Sequence, residues 1–168
     1  MLNLETVKQD IGQWIINFVE VKNPALGNWP PCPYARKARL ENDYDVRIGK
    51  DPYYDLVDIA IYGLGSKSVV VIAYDPEEFN YNDFSYKLKL ANETWLLRND
   101  ILALGDHPGD PEIVNGVSMN QGTYALALVQ SLSDLNAKAK TMAAKGFYDS
   151  WPEDYLQALF QHREDPRS

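Results

Sequence analysis

The residue with the most chemistry to offer is Cys32, the one cysteine in 168 residues. It precedes Pro33 in the run Cys32-Pro33-Tyr34-Ala35-Arg36-Lys37-Ala38-Arg39-Leu40, and proline suits the first position of a helix. The spacing therefore predicts a short helix with Cys32 as its N-cap. Unpaired backbone N–H groups and the positive end of the helix dipole would lower the thiol pKa there. Arg36 lies one turn on, with Lys37 and Arg39 close by, so a thiolate and an anion-binding patch are expected together. Such a sulfur could attack an electrophile or be oxidised. The competing reading is a small buried hydrophobe between prolines.

His107 is the second candidate. It sits in Gly105-Asp106-His107-Pro108-Gly109-Asp110-Pro111, just after a predicted strand, where open α/β sheets place ligands. An imidazole there could act as general base or as partner to the thiol; a solvated turn is the competing reading. Asp110 and Asn115 complete the expected ligand-binding set with Arg36, Lys37 and Arg39. The catalytic scheme is thiol chemistry on a small anionic or carbonyl substrate, with Cys32 as nucleophile, His107 as base and Arg36 holding the anion. One Cys and one plausible His do not make a zinc site. Asp106, Asp110 and Glu112 lack EF-hand spacing, so no metal is expected. P-loop, dinucleotide-binding, nucleophile-elbow and Cys-x-x-Cys motifs are absent, so no cofactor is expected.

These residues need a scaffold. Leu4, Val7, Ile11, Trp14, Ile15, Phe18 and Val19 recur every three or four positions, predicting an amphipathic helix over 4–19. Strands are predicted at 44–48, 68–74, 100–104 and 123–130, the second apolar on both faces and so central. Asp51-Pro52 opens a helix ending near Gly63. Asp75-Pro76-Glu77-Glu78 reads as the start of another, with a break near Asn80, running to Trp95 or Leu97. Residues 105–122 read as a long loop, functional or mobile. Ser133 is expected to cap a helix ending at Gly146, and Ser150-Trp151-Pro152-Glu153 to form a capping box for a last helix, with a frayed tail from Arg163. Strands alternating with helices imply an α/β (α+β) single domain: a mixed sheet of about four strands with helices packed on it, extended by C-terminal helices over 147–168. The first three strands should be mainly parallel and the fourth antiparallel.

Three stretches together resemble an uncharacterised bacterial family of small α/β proteins of unknown function. Cys32-Pro33-Tyr34-Ala35 matches its Leu-Cys-Pro-Phe-Ala-like motif, and Tyr81-Asn82-Asp83-Phe84 its Tyr-Asn-Asp-Phe-like motif. His107-Pro108, Asp110-Pro111 and Asn115 resemble its His-Pro pair and acidic loop. Order and spacing agree over about residues 5–135. The family's later Arg-Ser-Pro-Tyr-Pro run is replaced here by Ser118-Met119-Asn120-Gln121-Gly122-Thr123, so an expected basic residue is missing. The resemblance implies a fold and a site location, and no reaction.

Composition sets the outer limits. The formal net charge is −8, which disfavours a phosphate backbone as partner, although residues 36–50 carry a local net charge of +2. No apolar run approaches membrane-spanning length, and Met1–Lys8 carries no basic leader, so a cytoplasmic location is expected. A non-catalytic alternative uses Trp151, Tyr155, Leu159 and Phe160 of the last helix as a homodimer or partner face.

Overall fold

The computed structural model describes residues 1–168. Helix α1 (Leu4–Trp14) is capped by the Asn3 side chain, which accepts from the Thr6 N–H, and continues as a π-helical turn over Ile15–Val19. Helix α2 (Ala35–Leu40) leads to strand β1 (Tyr44–Ile48). Helix α3 (Pro52–Tyr62), capped by Asp51, connects β1 to strand β2 (Val69–Tyr74). Helix α4 (Tyr81–Ala91) passes through a π-helical turn, Asn92–Leu96, into strand β3 (Ile101–Asp106). A two-strand hairpin, β4 (Ile113–Val114) and β5 (Val117–Ser118), precedes strand β6 (Ala125–Ser131). Helices α5 (Leu132–Ala144) and α6 (Glu153–Leu159) complete the chain.

The main sheet has the order β1-β2-β6-β3. β1 and β2 are parallel, as the α3 crossover allows, while β6 is antiparallel to both β2 and β3. β1, β2 and β3 thus run in one sense, as expected, and β6 fills the gap between β2 and β3. The period-two alternation of a strand divides the core. Val70, Ile72 and Tyr74 of β2 join Leu56 and Ile59 of α3 and Phe84 and Leu88 of α4 on one face. Val71 and Ala73 join Val7, Ile11 and Ile15 on the other.

β3 is an edge strand, and its edge is partly closed by one side chain. The buried Asn92 amide donates to the Ala103 carbonyl and accepts from the Ala103 N–H, each at 2.9 Å. A side-chain amide thereby stands in for a neighbouring strand, which blunts the edge against foreign strands. The π-helical turn delivers Asn92 to that position, and such turns recur where a helix must place a particular side chain.

Several local expectations are corrected. Cys32 is not an N-cap: α2 starts at Ala35 behind Tyr34, and the Cys32 carbonyl instead accepts from the Ala35 N–H. Asp75 closes only a turn, accepting from the Glu77 N–H; the following helix is capped by Asn80, whose side chain accepts from the Asp83 N–H. Ser131 caps α5, leaving Ser133 to donate to Asp100. Pro152 stands at the N-cap of α6, which has no side-chain cap hydrogen bond. The tail turns back toward α6, where Arg167 bridges Glu153 and Asp165.

The last segment is not a free extension. Trp151, Leu156 and Phe160 are buried together with Leu26, Val114, Met142 and Phe147 in a third core cluster. Fully burying a side chain such as Leu156 or Phe160 contributes roughly 1.5–3 kcal/mol. Of the residues expected to form a partner face, Trp151 and Phe160 are buried within the chain, and Tyr155 and Leu159 are partly buried against the same cluster. No helix is long and apolar enough to cross a membrane.

Candidate functional site

A cleft of about 550 Å³ runs along the free edge of β3. The end of α1 and its π-helical turn supply Trp14, Phe18 and Val19; α4 supplies Tyr81, Ser85 and Lys89. Leu104 and Leu128 form part of the sheet side, and Tyr155, Leu159 and His162 close it from the C-terminal segment. Cys32, His107 and Asp110 also line it, so the fold brings together segments some seventy-five residues apart. A second cavity of about 200 Å³ lies between the end of β1 and α3 and holds none of the sequence-predicted site residues.

The acidic residues of the cleft lie at and just after the end of β3. Asp106, the last residue of β3, is only 6% exposed and accepts from the Asn120 side chain at 2.8 Å and the Gln121 N–H at 2.9 Å. Burial pushes its carboxyl above the usual range, against the pull of those two donors. Asp110 and Glu112 follow on the loop, and both line the same cleft. Burial, together with the charges of Asp106 and Asp110, pushes the Glu112 carboxyl up to about 7, while the neighbouring Tyr155 hydroxyl works in the opposite direction. Burial and the Glu112 charge in turn push Tyr155 upward. None of the three carboxylates forms an ion pair with a Lys or Arg. No group of three or more His, Cys, Asp or Glu side chains is arranged to hold a metal ion.

His107 is held as a structural residue. It is 6% exposed, with Nε2 at 2.7 Å from the Phe79 carbonyl and Nδ1 accepting from the Gly109 N–H at 2.9 Å. Those two partners assign the neutral tautomer protonated on Nε2. Both ring nitrogens are used, so no lone pair is left to take a proton from a thiol or a substrate. The ring packs between Tyr81 and Phe84. Its neighbour Gly109 is tight: a Cβ there would lie 3.0 Å from Nδ1 and 3.2 Å from the Tyr81 Cβ. The expected role as general base is therefore corrected: the imidazole pins the start of the 105–122 loop to the turn before α4.

Cys32 also departs from expectation. The residue keeps exposed surface, yet the protein packed around its thiol raises the pKa. The N–H groups of Tyr34 and Ala35 and the charge of Lys138 pull downward but do not prevail. A raised thiol is protonated at neutral pH and a poor nucleophile. Alkylation by iodoacetamide should accordingly show an apparent pKa above the free-thiol value of about 8.5. A midpoint below that value would restore the nucleophile.

The expected basic patch lies elsewhere. Arg39 is committed to Glu20 through two hydrogen bonds of 2.8 and 2.7 Å, and neither it nor the exposed Arg36 and Lys37 lines the cleft. Asn115 is a turn residue: it has φ 51, Gly116 follows with φ 82, and the pair closes the β4–β5 hairpin. Its amide donates to the Ala25 and Ser150 carbonyls, tying the hairpin to the C-terminal segment. Asn-Gly between two valines is a strong hairpin signal, and it accounts for this residue without a ligand.

Glu112 and Tyr155 line the cleft, where the sequence did not place them. Glu112 appeared only as a failed metal ligand, and nothing local in the sequence pairs position 112 with position 155. No family model, curated protein or solved structure matches this chain.

Proposed function

We propose that this chain binds a small molecule with an apolar body and a cationic or hydrogen-bond-donating end in the cleft along β3. The observation that carries this reading is the lining itself. Trp14, Phe18, Leu104 and Leu128 offer apolar and aromatic surface, and Asp106, Asp110 and Glu112 line the cleft with none of them in an ion pair with Lys89, the one Lys or Arg of the lining. The volume falls within the range of small-molecule sites, which combine apolar walls with few polar groups. A bound cation would relieve the mutual repulsion of the carboxylates and meet aromatic faces suited to it. An anion would meet repulsion there, and the arginines once expected to hold it do not line the cleft. Glu112, ionising near neutrality, supports a second role as proton donor or acceptor toward the ligand. Cys32 and His107 belong to this site as wall and scaffold.

A matched pair of probes tests the reading. Tryptamine and indole-3-acetate share one ring system and differ in the sign of the terminal charge. Calorimetric titration at pH 7.5 should show tryptamine binding at least tenfold more tightly, and Glu112→Gln should reduce that preference. Equal affinity, or tighter binding of the acetate, would overturn it.

A further inference from the structure

We propose that strand β1 pairs with β1 of a second copy of this chain, antiparallel about a two-fold axis at Val46, so that the two main sheets join into one. This surface is separate from the cleft along β3 and needs no ligand there. The two edges of the sheet are finished differently. At β3 the Asn92 amide occupies the Ala103 backbone. β1 is the other edge, and no side chain does the same for it. The Gly49 N–H donates to the Ala73 carbonyl at 3.0 Å, and the register sets Ile48 beside Ala73. Alternate residues of a parallel ladder turn their backbone groups toward the neighbouring strand. Asp45 and Arg47 therefore face β2, while Tyr44, Val46 and Ile48 turn their N–H and C=O groups to the open edge. No hydrogen bond from elsewhere in the chain reaches the backbone of Val46 or Ile48. Such a row of free donors and acceptors is a template for another strand.

The charges on this edge complement themselves. Val46 sets its side chain in the core with Val7 and Ile11, which holds the strand in a fixed orientation. Asp45 and Arg47 project from the opposite face of the sheet. In a single copy they bond only each other, at 2.9 Å, with side chains 40% and 44% exposed. Rotation about Val46 sets Asp45 of each copy directly opposite Arg47 of the other, and Tyr44 opposite Ile48. Unlike charges directly opposite stabilise a strand pair, and like charges destabilise it. Sliding the strands by two residues, the next step that preserves the hydrogen bonds, sets Asp45 on Asp45 or Arg47 on Arg47. The charge pattern thus selects one register.

Apolar surface beside the edge adds to the pairing. Ile48 is 36% exposed and Tyr62 83%, and both line the cavity between the end of β1 and α3 that Arg47 also lines. An edge of five residues buries little area, and two copies of net charge −8 repel at long range. The dimer is therefore weak and depends on concentration.

Sedimentation equilibrium of the full chain across the micromolar to millimolar range tests the pairing. The native chain should move from 19.1 kDa toward twice that mass as its concentration rises. Asp45→Arg and Arg47→Asp each place like charges opposite one another, so each should weaken self-association at least about tenfold. An equimolar mixture of the two variants restores unlike charges across the pair and should recover the association of the native chain as a heterodimer. A native chain that stays monomeric, variants that associate as tightly as the native chain, or a mixture no tighter than its components would overturn the pairing. Should either variant fail to fold, amide exchange in the native chain decides. Val46 and Ile48 should gain protection as concentration rises, while Asp45 and Arg47, already bonded to β2, stay constant. No gain at Val46 and Ile48 overturns the pairing equally.

Discussion

Replacing His107 by alanine should lower folding stability by about 3–4 kcal/mol. The substitution orphans the Phe79 carbonyl and the Gly109 N–H, both now bonded to the ring. It also opens a void between Tyr81 and Phe84. An unsatisfied buried backbone group costs roughly 1–3 kcal/mol, so even partial relaxation leaves a large loss. His107→Gln should recover part of it, since its amide can still donate toward Phe79. Urea unfolding of the three proteins gives the comparison. A loss under about 1 kcal/mol would contradict the structural role given to the two ring hydrogen bonds.

Glu112→Gln should do the opposite, and only at the right pH. Below about pH 4.5 the carboxyl is protonated in folded and unfolded chains alike and adds nothing to stability. As pH rises toward 7 the unfolded chain ionises while the folded one resists, so the folded state loses ground. Above about 7 the loss is complete. The variant should thus match the native chain near pH 4 and exceed it at pH 8 by on the order of 3 kcal/mol. A difference that does not change with pH would place its origin in packing.

Much of the scaffold was legible in the sequence because each of its elements is locally self-consistent. The apolar run Val69–Tyr74 could only be a covered strand, and Asp51-Pro52 could only open a helix; both appear as expected. The failures share a physical cause. At Asp75, Ser133 and Ser150, capping patterns were outcompeted by neighbours that bond the backbone or side chain differently, such as Asn80 and Ser131. The hairpin within 105–122 follows from Asn115-Gly116 acting through its positive backbone φ angles, and not through the side-chain chemistry of Asn115.

The site was legible only in outline. Cys32 and His107 do share a cleft, which the order of elements made foreseeable. Their protonation chemistry was not, since it depends on contacts distant in sequence: Phe79 with His107, and the packing around Cys32. A dipole argument also requires the residue to be at the helix end, and the chain places Tyr34 there instead. Glu112 draws its character from Asp106, Asp110 and Tyr155, and the last of these arrives only when α6 packs.

The most direct measurement is a carbon-13 carboxyl titration of Glu112 by NMR in the full chain, repeated with saturating tryptamine. A midpoint near 7, falling once the amine is bound, is the expected result. A midpoint near the ordinary 4.5, unmoved by the amine, would contradict both the crowded carboxylates and the cation they are proposed to hold.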